Sequence, residues 1–148
     1  MGKQNKLFDL INSMTTAEKG FFKKYSAIHG RKSSNYIQLF DAIDRQKTYD
    51  EAKLIQKFEG SSFAKHFSVS KNYLYNALLA SLEEFHKGNT PYDQIVHNFL
   101  RIELLTNRDL IEAAEQLLNQ TKKLIEKNRL YEFTVTMTRL ELYLLRQK

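Results

Sequence analysis

Residues 91–128 read PYDQIVHNFLRIELLTNRDLIEAAEQLLNQTKKLIEKN. Apolar side chains recur through this stretch at three- and four-residue spacing, the period of a helix that buries one face. The spacing predicts helices over about 92–106 and 109–127, separated by the short turn Thr106-Asn107-Arg108-Asp109. Two helices joined so tightly form an antiparallel αα-hairpin. Pro91 cannot extend a preceding helix but can open the next one. Asn128 marks another reversal, and a third helix over about 129–147 carries Leu130, Phe133, Met137, Leu140, Tyr143 and Leu144, a broad apolar surface. A hairpin followed by a lone apolar helix has the pattern of a helical-repeat array cut after one and a half units.

Upstream, Gly88-Asn89-Thr90-Pro91 is the clearest boundary in the chain. It divides an N-terminal helical module, residues 1–88, from a repeat-like region, residues 92–148. The module ends in a long helix, about 70–87, whose apolar residues Tyr73, Leu74, Tyr75, Ala77, Leu78, Leu79, Leu82 and Phe85 spread wider than one stripe. That spread predicts a spine touching protein on two sides. Five shorter helices precede it. The first, about 3–13, turns Leu7, Leu10, Ile11 and Met14 to one face; Thr15 and Glu18 fit a capping box for the second, which buries Phe21, Phe22, Tyr25 and Ile28 and closes at His29-Gly30. Ser33 or Ser34 opens the third, with Tyr36, Leu39, Phe40 and Ile43 inward. Asp50 caps the fourth, with Leu54, Ile55 and Phe58 buried and Gly60 ending it, and a short fifth holds Phe63, Ala64 and Phe67.

Composition agrees with an all-α chain. Only five glycines and one proline occur in 148 residues, so the usual punctuation of strands and turns is missing. Hydrophobic residues at 42% and aromatics at 12% suffice for a core. No apolar run approaches the roughly 18 residues of a membrane span, mean hydropathy is −0.53, and the start MGKQNKLFDL lacks the apolar region of a signal peptide. Cysteine is absent, which excludes disulfides, thiolate metal sites and cysteine nucleophiles. These features point to a soluble chain and favour the cytoplasm, with no membrane partner. The net charge of +6 is uneven: residues 1–91 hold 14 basic and 9 acidic side chains, residues 92–148 hold 9 and 8. A mild excess of this kind reads as solvated lysines before it reads as a field for acidic partners.

The sharpest local motif is residues 63–77, Phe63 to Ala77. Its apolar Phe63, small Ala64, apolar Phe67, turn at Ser68, then Val69, Leu74 and Ala77 resemble a bacterial helix-turn-helix. In such a motif Ser70, Lys71, Asn72 and Asn76 face the groove, where amides and an ammonium contact bases or phosphates. Against this stand Ser68 in place of the usual turn glycine, apolar Leu79 on the same face, and Glu83 and Glu84, whose charge phosphates repel. The competing reading is an interhelical corner in a helical array.

Catalytic constellations are missing. His29, His66, His86 and His97 are single and scattered, without the spacing of a metal site. Glu83 and Glu84 are adjacent, so they diverge by about 100° on a helix and cannot work as a paired acid and base. No glycine-rich phosphate loop or nucleophile elbow occurs. No catalytic residue, cofactor or metal is therefore assigned, and the chain reads as non-enzymatic. The crowded aromatics of the first half are at core spacing, while Tyr131 and Tyr143 are candidates for protein recognition.

Leu10-Ile11, Met14 to Lys23, Tyr36 to Ile43 and Lys71-Asn72-Tyr73-Leu74-Tyr75 together resemble the N-terminal part of large uncharacterised bacterial proteins with tetratricopeptide-like helical repeats. The resemblance covers roughly residues 7–86. It implies an N-terminal multi-helix module leading into an α-α superhelix, and it implies no activity. The region after it departs from the tetratricopeptide signature: Ala113-Ala114 fit small-residue positions, yet the spaced Trp, Gly and Tyr of a first helix are not found at 92–106.

The expected function is accordingly a non-catalytic helical-repeat scaffold for a protein or peptide partner, either as part of a longer protein or self-associating through its last helix. Leu140 and Leu144 are the candidate partner surface. The alternative is a helix-turn-helix module binding nucleic acid through Ser70, Lys71, Asn72 and Asn76.

Overall fold

A computed structural model describes residues 5–29, 33–61 and 64–146, leaving aside the side chains of residues 28, 29, 33 and 34. The described residues hold eight α-helices and no strand: α1 (Lys6–Ser13), α2 (Thr16–His29), α3 (Ser33–Asp44), α4 (Glu51–Lys57), α5 (Phe67–His86), α6 (Pro91–Thr106), α7 (Ile111–Asn128) and α8 (Thr134–Leu145). Short 3₁₀ turns, Ala64–His66 and Tyr131–Phe133, lead directly into α5 and α8. The chain divides into two compact units, Met1–Phe85 and His86–Lys148.

The helix starts of the N-terminal unit have local causes. Asn5 Oδ1 accepts from the amides of Leu7 (3.1 Å) and Phe8 (3.3 Å), capping α1. The Glu18 amide donates to Thr15 Oγ1 at 3.3 Å and the Thr15 amide donates to the Glu18 carboxylate at 2.7 Å, a reciprocal box that satisfies two orphan donors. Asp50 accepts from the Lys53 amide at 3.1 Å and opens α4. Gln46 ties the connection before it: its Nε2 donates to the Asp50 carbonyl (3.0 Å) and its Oε1 accepts from the Asp50 amide (3.1 Å). One side chain thus does the work of a paired backbone across the turn.

This unit's core runs from Leu7, Ile11 and Met14 through Phe22 to Leu39, Phe40 and Ile43, then to Leu54, Phe58, Phe67, Leu74 and Leu78. Phe22 and Phe40 are fully buried with ring centroids 5.0 Å apart. Lys19 pairs with Asp44 at 2.6 Å and Lys23 with Asp41 at 2.7 Å, lacing α2 to α3. The expected core holds at most positions but not at Ile55, which is exposed because α4 turns its Leu54 face inward, nor at Tyr73 and Leu79 of α5, which are exposed as well. Phe63 and Gly30 lie outside the described residues.

In the C-terminal unit α6 and α7 pack as an antiparallel hairpin, and α8 packs on α7. Thr90 and Asp93 form a second capping box (the Asp93 amide donates to Thr90 Oγ1 at 3.1 Å), with Pro91 at the first helical position. Ile95, Ile102, Ala114, Leu118, Ile125, Met137 and Leu144 make the core. Thr121, fully buried, donates to the Leu117 carbonyl (2.7 Å) and accepts from Asn98 Nδ2 (3.1 Å), a polar link between α6 and α7.

The two connections in this unit are alike. After α6 the Leu110 amide donates to the Leu105 carbonyl (3.0 Å) and Asp109 to Thr106 (3.0 Å); after α7 the Leu130 amide donates to Ile125 (3.1 Å) and Arg129 to Glu126 (3.3 Å). Both are Schellman turns. Their left-handed residues are Asp109 (φ 57°) and Arg129 (φ 56°) where glycine is usual, and each is followed by a leucine of nearly the same conformation.

Candidate interaction surfaces

Begin with α5, the helix of the helix-turn-helix resemblance. Its first residue is Phe67, so Ser68 lies inside the helix and no turn occurs there. The phase of α5 is set by Phe67, Leu74 and Leu78, all buried. Ser70 shares that face and is itself buried, at 4% exposure. Lys71 forms an ion pair with Glu51 of α4, and its ammonium sits 5.4 Å from the Phe67 ring centre and 5.9 Å from that of Tyr49. Asn72 and Asn76 are exposed, beside Val69 (67%) and Tyr73 (53%). Four residues expected to share one nucleic-acid face are therefore split: two are engaged within the unit, two face solvent. Consecutive residues such as 70, 71 and 72 diverge by about 100° each, which makes a shared face impossible for all three.

Glu51 is a local hub. Besides Lys71 it accepts from the Tyr49 hydroxyl at 2.8 Å. Partial burial, and then this hydrogen bond to an anion, push the Tyr49 phenol well above its usual range. Tyr36, stacked on Tyr73 at 4.4 Å, is also pushed up, first by burial and then by its neighbour's charge. The Asp50 carboxyl is held below the usual range, chiefly by the Lys53 amide. These perturbations belong to caps and packing.

Part of the N-terminal basic charge is engaged within the unit, although most of the described lysines are exposed. Lys19 and Lys23 pair with α3 carboxylates, Lys71 with Glu51, and Lys6 lies 4.7 Å over the Tyr75 ring. Among the described residues no group of three histidines, cysteines or carboxylates is placed to hold a metal. His66 and His86 are exposed, His97 is half-buried, and the His29 side chain lies outside the described residues. An open groove of about 550 Å³ lies beside α4, bounded by Ala52, Ile55, Gln56, Glu59, Ser61 and Lys65.

The largest apolar exposure is on the C-terminal unit. Leu140 and Leu144 do not supply it. Leu144 is 2% exposed and Leu140 packs against the core, because the series Phe133, Met137, Leu140 and Leu144 is the one that meets α7. The opposite face of α8 carries Val135 (80% exposed), Leu142 (53%) and Leu145 (62%), with Arg139 and Arg146 exposed among them. On α6, Tyr92, Val96, Leu100 and Leu104 recur every fourth residue and are also exposed, with Glu103 in the same sector. Tyr131 and Tyr143 are exposed as expected. Lys122 is held to Glu141 at 3.0 Å, which keeps that carboxylate on the α7 side of α8 and raises the ammonium's pKa.

Among the described residues no helix is long and apolar enough to cross a membrane. No protein-family model matches the chain, and no curated protein or solved structure is detectably similar to it.

Proposed function

We propose that the chain is a non-catalytic helical scaffold of the tetratricopeptide-like kind, which binds protein through the outer faces of its C-terminal helices. The observation that carries this reading is α8: one face fills the unit's core while Val135, Leu142 and Leu145 stand in solvent on the other. Contiguous apolar exposure of this sort marks interaction sites in soluble proteins. The two like-shaped turns at Asp109 and Arg129 support a repeated helix-turn geometry. A photo-crosslinking amino acid at Leu142 is expected to yield discrete protein adducts in cells, whereas one at exposed Gln120 of α7 yields none. No adduct at Leu142, or an identical pattern at both positions, would contradict the proposal.

Nucleic-acid binding is the second reading, resting on exposed Asn72 and Asn76. Lys71→Glu is a poor probe of it, since it sets a second carboxylate against Glu51 and loosens the unit. Duplex DNA titrated at two salt concentrations, with Asn72→Asp and Asn76→Asp as probes, decides it. The scaffold reading expects no micromolar binding sensitive to these changes.

A further inference from the structure

We infer that α8 of one copy docks on α6 of a second copy, a head-to-tail contact in which each chain uses two different faces. This rests on the scaffold reading and names the occupant of its surface.

The two faces are similar in length and opposite in charge. Tyr92, Val96, Leu100 and Leu104 step along α6 for about 18 Å, and Val135 to Leu145 span about 15 Å of α8, at 1.5 Å per residue. At 100° per residue the α6 set spans about 120° of its helix and the α8 set about 80°. Within the α8 sector lie Arg139 and Arg146, and within the α6 sector lies Glu103; all three are exposed, and none has an ion pair among the described residues. Opposite charges at the edge of an apolar contact fix its register and penalise wrong pairings.

The same charges argue against self-pairing of either helix. Two copies of α8 face to face would gather four arginines around the buried leucines, while Glu141, one turn before Leu145, is engaged by Lys122. Two copies of α6 would oppose Glu103 to Glu103. Only the mixed pairing joins apolar to apolar and cation to anion. A contact between unlike faces leaves one of each free, so association continues into a ring or an open chain. Faces this short fall at the small end of specific interfaces and predict weak, concentration-dependent assembly.

Sedimentation of the full chain from about 5 to 500 µM tests this, with Leu100→Asp in α6 and Leu142→Asp in α8 as blocking variants. Both residues are more than half exposed, so the variants are expected to keep wild-type circular dichroism and melting. Wild type should gain mass with concentration; each variant alone should stay monomeric; an equimolar mixture should form a dimer and stop there. The mixture also proves that both variants are folded. Glu103→Arg should weaken assembly about tenfold, and Arg139→Glu combined with it should recover most of the loss. If only Leu142→Asp blocks assembly, while Leu100→Asp still associates by itself, α8 pairs with itself and the inference is wrong. A wild type monomeric at every concentration overturns it too, while crosslinks from Leu142 to another protein would leave the scaffold reading standing.

Discussion

Arg129 and Asp109 hold φ of 56° and 57°, where a Cβ crowds the neighbouring carbonyl. Arg129→Gly should raise stability by about 0.5–1 kcal/mol: relief of the left-handed strain exceeds the freedom that glycine adds to the unfolded chain. Asp109→Gly should gain less, because a short aspartate tolerates this region. A higher urea midpoint at unchanged slope is the expected readout, and a lower one would mean the side chains make contacts that outweigh the strain. Both reversals could be read, at Thr106 to Asp109 and at Asn128, but not their left-handed caps, since sequence flags such a cap through glycine and these positions lack it. Thr90 was hidden for a similar reason, being overshadowed by Pro91; Thr90→Ala should cost about 1 kcal/mol by losing the cap. For Tyr49 the sign follows from its raised folded pKa: the neutral phenol is favoured in the fold, so its contribution is full below the unfolded value near 10 and is lost as pH rises toward the folded one. Unfolding curves between pH 8 and 11 should therefore show an alkaline loss of stability that Tyr49→Phe diminishes; an unchanged alkaline limb would sever the link to this phenol.

At the level of the helix, the decisive question is which face packs. Helix type and most core positions could be read from three- and four-residue spacing, and the Thr15 and Asp50 caps from their side-chain chemistry. Phase was harder. Apolar residues lie on both sides of α8, and periodicity alone does not say that Met137 and Leu144 go inward while Val135 and Leu142 go out; the contact with α7 decides it. The same ambiguity misplaced Ser70 and Lys71, because α5 begins at Phe67, upstream of the turn expected at Ser68. The packing assignment makes a paired prediction. Leu144→Ala, which opens a cavity, should cost about 2–5 kcal/mol, whereas Leu142→Ala should stay within about 0.5 kcal/mol of wild type. Chemical denaturation of the two variants distinguishes them, and a reversal of the order would mean that α8 is rotated.

Over the whole molecule, the helices assemble into two compact units, and the exposed apolar residues gather most heavily on the second. Composition had already excluded thiol chemistry. It could not show which apolar side chains stay exposed, because that depends on how the helices pack in three dimensions. The absence of cysteine makes the central claim directly measurable, since one introduced thiol at Leu142 is the chain's sole alkylation site. Its maleimide labelling rate, normalised to a thiol at Gln120, should be at least tenfold slower in intact cells than in dilute purified protein. Equal normalised rates in both settings would show that nothing covers the outer face of α8, and the scaffold account would fall.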